Sequence, residues 1–141
     1  MKIRFIVNPR SGRRGRTPLL APALRAAGAL HGWDAEVVWT EAPGHATALA
    51  REAVAAGCTC VAAVGGDGTV NEVAQALIGA PAALALVPCG SGNGLARHLG
   101  IPAAPRALAL LATGGGRLAA IDTGTANGHP FCNAMGLGFD A

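Results

Sequence analysis

Tyrosine is missing from the 141 residues, and aromatic side chains of any kind make up only 4% of them. That excludes a surface that grips nucleic acid by stacking bases on exposed rings. Cysteine is sparse: Cys58 and Cys60 stand two apart, Cys89 and Cys132 stand alone, and the four have neither zinc spacing nor the density of a disulfide framework. They read as reduced, buried thiols of a cytoplasmic protein. No run is long and apolar enough to span a bilayer, since "ALIGAPAALALVP" is broken by Gly79, Pro81 and Pro88. The opening "MKIRFIVNPRSG" lacks an apolar h-region and a small-residue cleavage site, so no secretory leader is expected. Glycine is plentiful at 21 residues but has no period, which removes collagen-like and low-complexity readings. The net charge of +3 favours anionic partners without selecting nucleic acid or membrane.

Several chemical fingerprints are missing too. There is no G-x-x-x-x-G-K-[ST] phosphate loop, and "GSGNGLARHLG" puts Leu95 where the G-x-G-x-x-G dinucleotide signature needs its last glycine. A G-x-S-x-G elbow, an H-E-x-x-H pair and a plausible catalytic triad are likewise absent.

What remains is a chain that is 51% hydrophobic, much of it alanine, and long enough for one domain or one domain and the start of another. Its periodicity switches repeatedly. "IRFIVN" (3–8), "AEVVWT" (35–40), "CTCVAAV" (58–64) and "AALALVP" (82–88) read as buried strands. Between and after them, "TPLLAPALRAAGALHG", "GHATALAREAVAAG", "TVNEVAQALIGA", "GLARHLG" and "PRALALLATGG" carry helical spacing. This alternation predicts right-handed crossovers and an α/β fold, a three-layer doubly wound parallel sheet.

The unusual residues fall after the strands. "NPRSG" (8–12) follows the first, Thr40 with "GHA" (44–46) the second, "GGDGT" (65–69) the third and "GSGNG" (90–94) the fourth. In a parallel sheet all four lie at the carboxyl edge, where open α/β folds bind ligands. Glycines between strand and helix usually serve phosphate. Asp67 is the anomaly, because two like charges about 4 Å apart repel by roughly 4 kcal/mol at an effective dielectric of about 20.

Together "NPRSG", "GGDGTVNEV", "PCGSGNGLARHLGIP" and "NAMGLGFDA" resemble the diacylglycerol kinase catalytic domain superfamily, which includes sphingosine kinases and bacterial lipid kinases. "GGDGT" alone is shared with NAD kinases and resembles a phosphofructokinase motif; the Asn71-Glu72 pair after it and "GSGNGLAR" favour the lipid kinase branch. The resemblance implies an NAD kinase/diacylglycerol kinase-like fold and transfer of the γ-phosphoryl group of ATP, with Mg2+, to the hydroxyl of diacylglycerol or a related lipid. Lipid and ATP are then the expected partners and nucleic acid is not. The protein would be cytoplasmic and visit the inner membrane peripherally.

By the same resemblance the nucleotide is lined by Asn8, Pro9, Arg10, Ser11, Gly12, Thr40, Gly66, Asp67, Gly68, Thr69, Val70, Asn71, Glu72 and Ser91. Asp67 is the implied catalytic acid. It matches the base of sphingosine kinases, whereas in bacterial members it would act nearer the nucleotide and metal. Asp122 and Asp140 match acids on the lipid or metal side. Gly94 departs from bacterial members that carry aspartate there. Thr69 and Glu72 also have a purely structural reading, since T-x-x-E forms a capping box at the start of a helix. Arg10, Arg13, Arg14 and Arg16 form a basic cluster, a solvated loop one by one and an anion-facing group together. His45 and His98 show no partner in sequence and read as structural or exposed.

Asn127-Gly128 is a type I′ hairpin signal between two strand-like runs. The expected division is a nucleotide-binding domain over 1–116 and, over 117–141, the first strands of a second, β-rich lipid-binding domain that is largely missing. The chain thus reads as the N-terminal part of a lipid kinase. The alternatives are a non-catalytic nucleotide-binding module and an NAD-kinase-like enzyme acting on a soluble substrate.

Overall fold

In the computed structural model the described residues are 1–12, 17–113 and 116–132. Four six-residue strands, β1 (Lys2–Val7), β2 (Asp34–Trp39), β3 (Cys60–Gly65) and β4 (Ala83–Pro88), form one parallel sheet in the order β2-β1-β3-β4. Successive side chains point to opposite faces, so β1 serves two cores at once. Ile3, Phe5 and Val7 pack with Leu24 and Leu108 on one face, and Ile6 packs with Leu49 and Val73 on the other. β3, at the centre, is buried at all six positions, as expected for a parallel strand covered on both sides.

The helices supply the outer layers. A 3-10 turn (Thr17–Leu20) leads into α1 (Ala21–Leu30), and α1 packs with α5 (Ala104–Ala112) on the Phe5 face. On the Ile6 face, α2 (His45–Ala55) packs against α3 (Asp67–Leu77), with the short α4 (Gly94–His98) nearby. Alanines on α2, namely Ala46, Ala50 and Ala53, are buried against the sheet and keep the layers close. No helix among the described residues is long and apolar enough to cross a membrane.

Two local expectations change. The run "IRFIVN" is not wholly apolar in its setting, because Arg4 lies within it with a side chain only 11% exposed. Its guanidinium bonds Glu36 of β2 at 2.7 Å and the Leu49 carbonyl of α2 at 3.1 Å, and approaches Glu52 at 3.7 Å. The third helix starts at Asp67, two residues earlier than its apolar pattern, because extended Gly66 is itself the cap residue. Thr69 is therefore the third helical residue, and T-x-x-E is not a capping box for α3.

After α5 the chain forms a separate antiparallel hairpin, β5 (Gly124–Ala126) and β6 (His129–Phe131), with β6 lying against α3. Asn127 and Gly128 have φ of 50° and 80°, the two positive values a type I′ turn demands.

Arg4→Ala should destabilise the fold by about 1–2 kcal/mol, because the Leu49 carbonyl loses its charged donor while the two exposed glutamates regain water; denaturant unfolding measures it. Cys60 gives a pH test. Burial, aided by nearby Cys58, pushes its thiol from 9.0 to about 11. The unfolded chain then loses this proton first, so this contribution to stability is intact below pH 9.0 and is lost as pH rises towards about 11. Cys60→Ala should lose less stability than wild type across that window in parallel denaturant titrations.

Candidate functional site

Trp39, Val7, Val64 and Val87 form one row across the sheet. The segments that follow them consequently leave from the same edge, and three pack directly on one another. After β1, the Asn8 backbone N–H donates to the Val64 carbonyl at 3.0 Å. The Asn8 side chain accepts from the Arg10 N–H at 2.9 Å and donates to the Thr69 hydroxyl at 3.1 Å. Ser11 Oγ accepts the Gly66 N–H at 3.3 Å. After β4, the Cys89 N–H reaches the Gly65 carbonyl at 2.8 Å.

Two glycines are required by this packing. A Cβ on Gly90 would lie 2.7 Å from the Gly66 Cα, a backbone-to-backbone approach with no flexible atom to yield. Gly12 combines a φ of +84° with a Cβ position 2.8 Å from the Cys89 carbonyl oxygen. At Gly66 with Gly90, and at Gly12 with Cys89, the loops after β1, β3 and β4 thus meet with no side chain between them.

Asp67 stands in the first turn of α3, exposed, with Oδ1 accepting the Gly94 N–H at 2.7 Å. Two features offset its charge: that N–H, and the unpaired donors of the helix start. The first backbone bond closing the helix runs from Val70 N–H to the Gly66 carbonyl, 3.0 Å. The N–H groups of Asp67, Gly68 and Thr69 therefore have no carbonyl within α3 to satisfy them. They form a cluster of donors beside a carboxylate.

The expected site residues divide by placement. Asn8, Ser11, Gly12, Gly66 and Ser91 lie in the three packed loops, with Ser91 exposed and its carbonyl accepting from Arg97 at 3.3 Å, while Asp67 and Gly68 open α3 directly after Gly66. Pro9 and Arg10 continue the first loop, Arg10 exposed. Thr40 joins the edge from the neighbouring strand, its N–H donating to the Val7 carbonyl at 2.9 Å. Thr69 and Val70 are buried, at 5% and 6% exposure, so only their backbone can face a ligand. Asn71 is half-buried on α3. Glu72 points to α2, where both carboxylate oxygens accept backbone N–H groups. Asp122 is exposed in the connection before β5 and is not brought to the loops by any hydrogen bond among the described residues. Asp140, Arg13, Arg14 and Arg16 lie outside the described residues.

Three residues gain roles that the sequence did not disclose. Asn93, at φ 53°, accepts the Gly90 N–H at 2.9 Å and donates to the Gly90 carbonyl at 2.6 Å, locking the "GSGNG" loop on itself. Gly94 supplies the donor to Asp67. His45 is not partnerless, since its Nδ1 accepts the Glu41 N–H at 3.1 Å. An asparagine between glycines was the only local signal for the first of these.

Beside β4 lies an apolar cavity of about 820 Å3, walled by Leu77, Leu84, Leu95, Leu99, Leu110 and Cys132 among others. Burial raises the Cys132 thiol above its ordinary range, a backbone hydrogen bond works against the rise, and the Asp67 charge adds to it. Among the described residues no three His, Cys, Asp or Glu side chains gather as a metal cage.

Gly90→Ala should cost about 1–3 kcal/mol, because the close contact is with backbone, and it should loosen the loop around Asp67. Thermal unfolding would register the cost, and faster amide exchange over 90–94 the loosening.

The description "Diacylglycerol kinase catalytic domain" belongs to a family model that matches residues 2–128. A protein named "Probable lipid kinase YegS-like" from Pseudomonas fluorescens is 44% identical over 110 residues, 77% of this chain and 36% of its own. The "Diacylglycerol kinase" of Bacillus subtilis is 36% identical across 97% of this chain and 46% of its own. A crystal structure of a diacylglycerol kinase from Bacillus anthracis superposes with a TM-score of 0.78 at 30% identity, covering 92% of this chain and 44% of that one. The chain therefore spans less than half the length of these relatives. With a matching family model over most of its length and the same fold in a solved relative, the chain belongs to the diacylglycerol kinase catalytic domain family.

Proposed function

We propose that this chain is the nucleotide-binding part of an ATP-dependent lipid kinase, with residues 1–116 holding the nucleotide and 117–141 opening a β-rich domain for the lipid. One observation carries the reading: three loops, brought together through glycines at their closest approaches, pack around a carboxylate and a cluster of helix-start N–H groups at the carboxyl edge of the sheet. Such donors suit phosphate oxygens, and an acid among them suits transfer rather than storage.

In phosphoryl transfer the protein mainly positions groups and balances charge. The bond from the γ-phosphorus to the bridging oxygen breaks, a bond from phosphorus to the lipid oxygen forms, and the hydroxyl proton must leave. Among the described residues Asp67, at the start of α3, is the carboxylate beside the packed loops with room to serve, since Glu72 is occupied by α2. It can accept the proton or stand beside the metal-bound nucleotide. A magnesium ion carried with the nucleotide needs only one or two protein carboxylates, and Asp67 would be one that holds it; when bound it would neutralise phosphate charge. Asn8, Ser11 and Asn93 hold the loops in register, and Thr40 borders them from β2. The lipid would be met at the membrane surface, from the cytoplasm.

The test is a transfer assay on the full-length protein with labelled ATP, offering a lipid panel, with diacylglycerol included, and NAD as acceptors. Label should pass to lipid, and Asp67→Asn should lower kcat/KM by about 10²–10⁴-fold while costing only about 1 kcal/mol of stability, since the amide oxygen can keep the Gly94 hydrogen bond and only the charge at the helix start is lost. Transfer to NAD would establish the soluble-substrate kinase instead, and ATP binding without transfer the non-catalytic module. Full activity in Asp67→Asn would remove that carboxylate from the chemistry.

A further inference from the structure

α2 begins without a cap of its own. Its cap residue is Gly44, which has no side chain to offer and a φ of 81°. The orphan donors at a helix start need partners, and here they find one on another helix. Glu72 of α3 accepts the Gly44 N–H on Oε1 at 2.9 Å and the Ala46 N–H on Oε2 at 3.1 Å. One residue further on, the Thr47 hydroxyl donates to the Glu72 carbonyl at 2.9 Å. A carboxylate at that end of α2 is also favoured by the helix dipole.

We propose that Glu72 is a positioning residue: it caps α2 from α3 and thereby fixes the 40–44 loop against the nucleotide site, without touching nucleotide itself. The inference rests on the nucleotide-binding reading given above. The loop it controls is pinned at both ends, by the Thr40 N–H on the Val7 carbonyl at 2.9 Å and by Glu72 at Gly44. Inside it, the Glu41 N–H is held by His45 Nδ1. The helix that carries Glu72 starts with Asp67, so one rigid element sets the distance between the Thr40 loop and the acid of the site. Both Glu72 oxygens are spent on backbone donors, so the charge that the motif places near the phosphates acts on a loop. The short reach of T-x-x-E conceals this, since the partner donors are 26 and 28 residues away in sequence.

Glu72→Gln in the full-length protein tests the assignment, because an amide keeps the shape but turns one acceptor into a donor facing a donor. Two readouts are needed: hydrogen exchange over 44–47 without nucleotide, and ATP affinity by calorimetry. Exchange at Gly44 and Ala46 should quicken by about tenfold, the usual scale of a lost cap. ATP should bind severalfold more weakly. Exchange over 67–70 should stay as in wild type. Unchanged exchange over 44–47 with lost ATP affinity would make Glu72 a direct ligand and overturn the proposal. Quickened exchange with full ATP affinity would overturn it as well, leaving a purely structural cap. Should Glu72→Gln fail to fold, Thr47→Ala removes the third tie without altering the carboxylate, and a milder change in the same two readouts is expected; no change in either would overturn the proposal. If wild type binds no ATP, the kinase reading fails, and the exchange result by itself then decides whether Glu72 holds the loop.

Discussion

Parallel register is the constraint on which everything else rests. Because Trp39, Val7, Val64 and Val87 share one row, the chain leaves all four strands at one edge, β3 and β4 a single residue beyond β1 and β2. The loops after β1, β3 and β4 then compete for one small volume. At the closest approaches side chains would fill it, and glycine removes them. Gly66 and Gly90 approach through bare backbone, and Gly12 tucks under the Cys89 carbonyl. Around these contacts stand the N–H groups of the α3 start, the Asp67 carboxylate, and the Asn8 and Ser11 side chains that tie the first loop to α3 and Gly66. The site is thus a consequence of strand register combined with missing Cβ atoms, and its polar character comes from main chain and side chains together.

The register itself depends on what is buried on either side. β1 divides its residues between two cores, and a slip by one residue would exchange them. Ile6 would move into the space of Phe5, and Arg4 would leave its partners for an apolar wall. Arg4 therefore adds something beyond its modest energy. Its guanidinium matches Glu36 opposite it on β2 and the Leu49 carbonyl above it on α2, so only one register satisfies it.

How far the sequence revealed this follows from the range of each interaction. Strands, the hairpin at Asn127-Gly128 and the glycine loops depend on neighbours in the chain, and they were legible from period and turn chemistry. The family resemblance extended that to the Asp67 loop. The roles of Arg4, Glu72 and Asn93 were not legible. Arg4 sits in a run that looks apolar because its partners come from β2 and α2. Glu72 matched a local rule, the capping box, yet α3 had already started at Asp67 and left that rule nothing to cap. Asn93 stood in a glycine-rich turn where an asparagine is ordinary, and only its pair of hydrogen bonds to the Gly90 backbone marks it as the lock of its loop.

The same economy governs charge at the edge. A carboxylate at a helix start is favoured by the donors around it by about 0.3–1 kcal/mol at an exposed position. The Gly94 N–H at 2.7 Å adds a hydrogen bond to a charged group, a contribution of about 1.5–3 kcal/mol. Both are in place before any ligand arrives, so they hold the Asp67 side chain where it stands and leave its repulsion of an anion, roughly 4 kcal/mol at about 4 Å, untouched. On the phosphate-binding reading proposed above, that repulsion falls to the cation carried with the nucleotide and to the orphan N–H groups of α3. The Gly94 donor reaches Asp67 only because the third and fourth loops are packed together, which is a physical reason for Gly66 and Gly90 to meet with nothing between them.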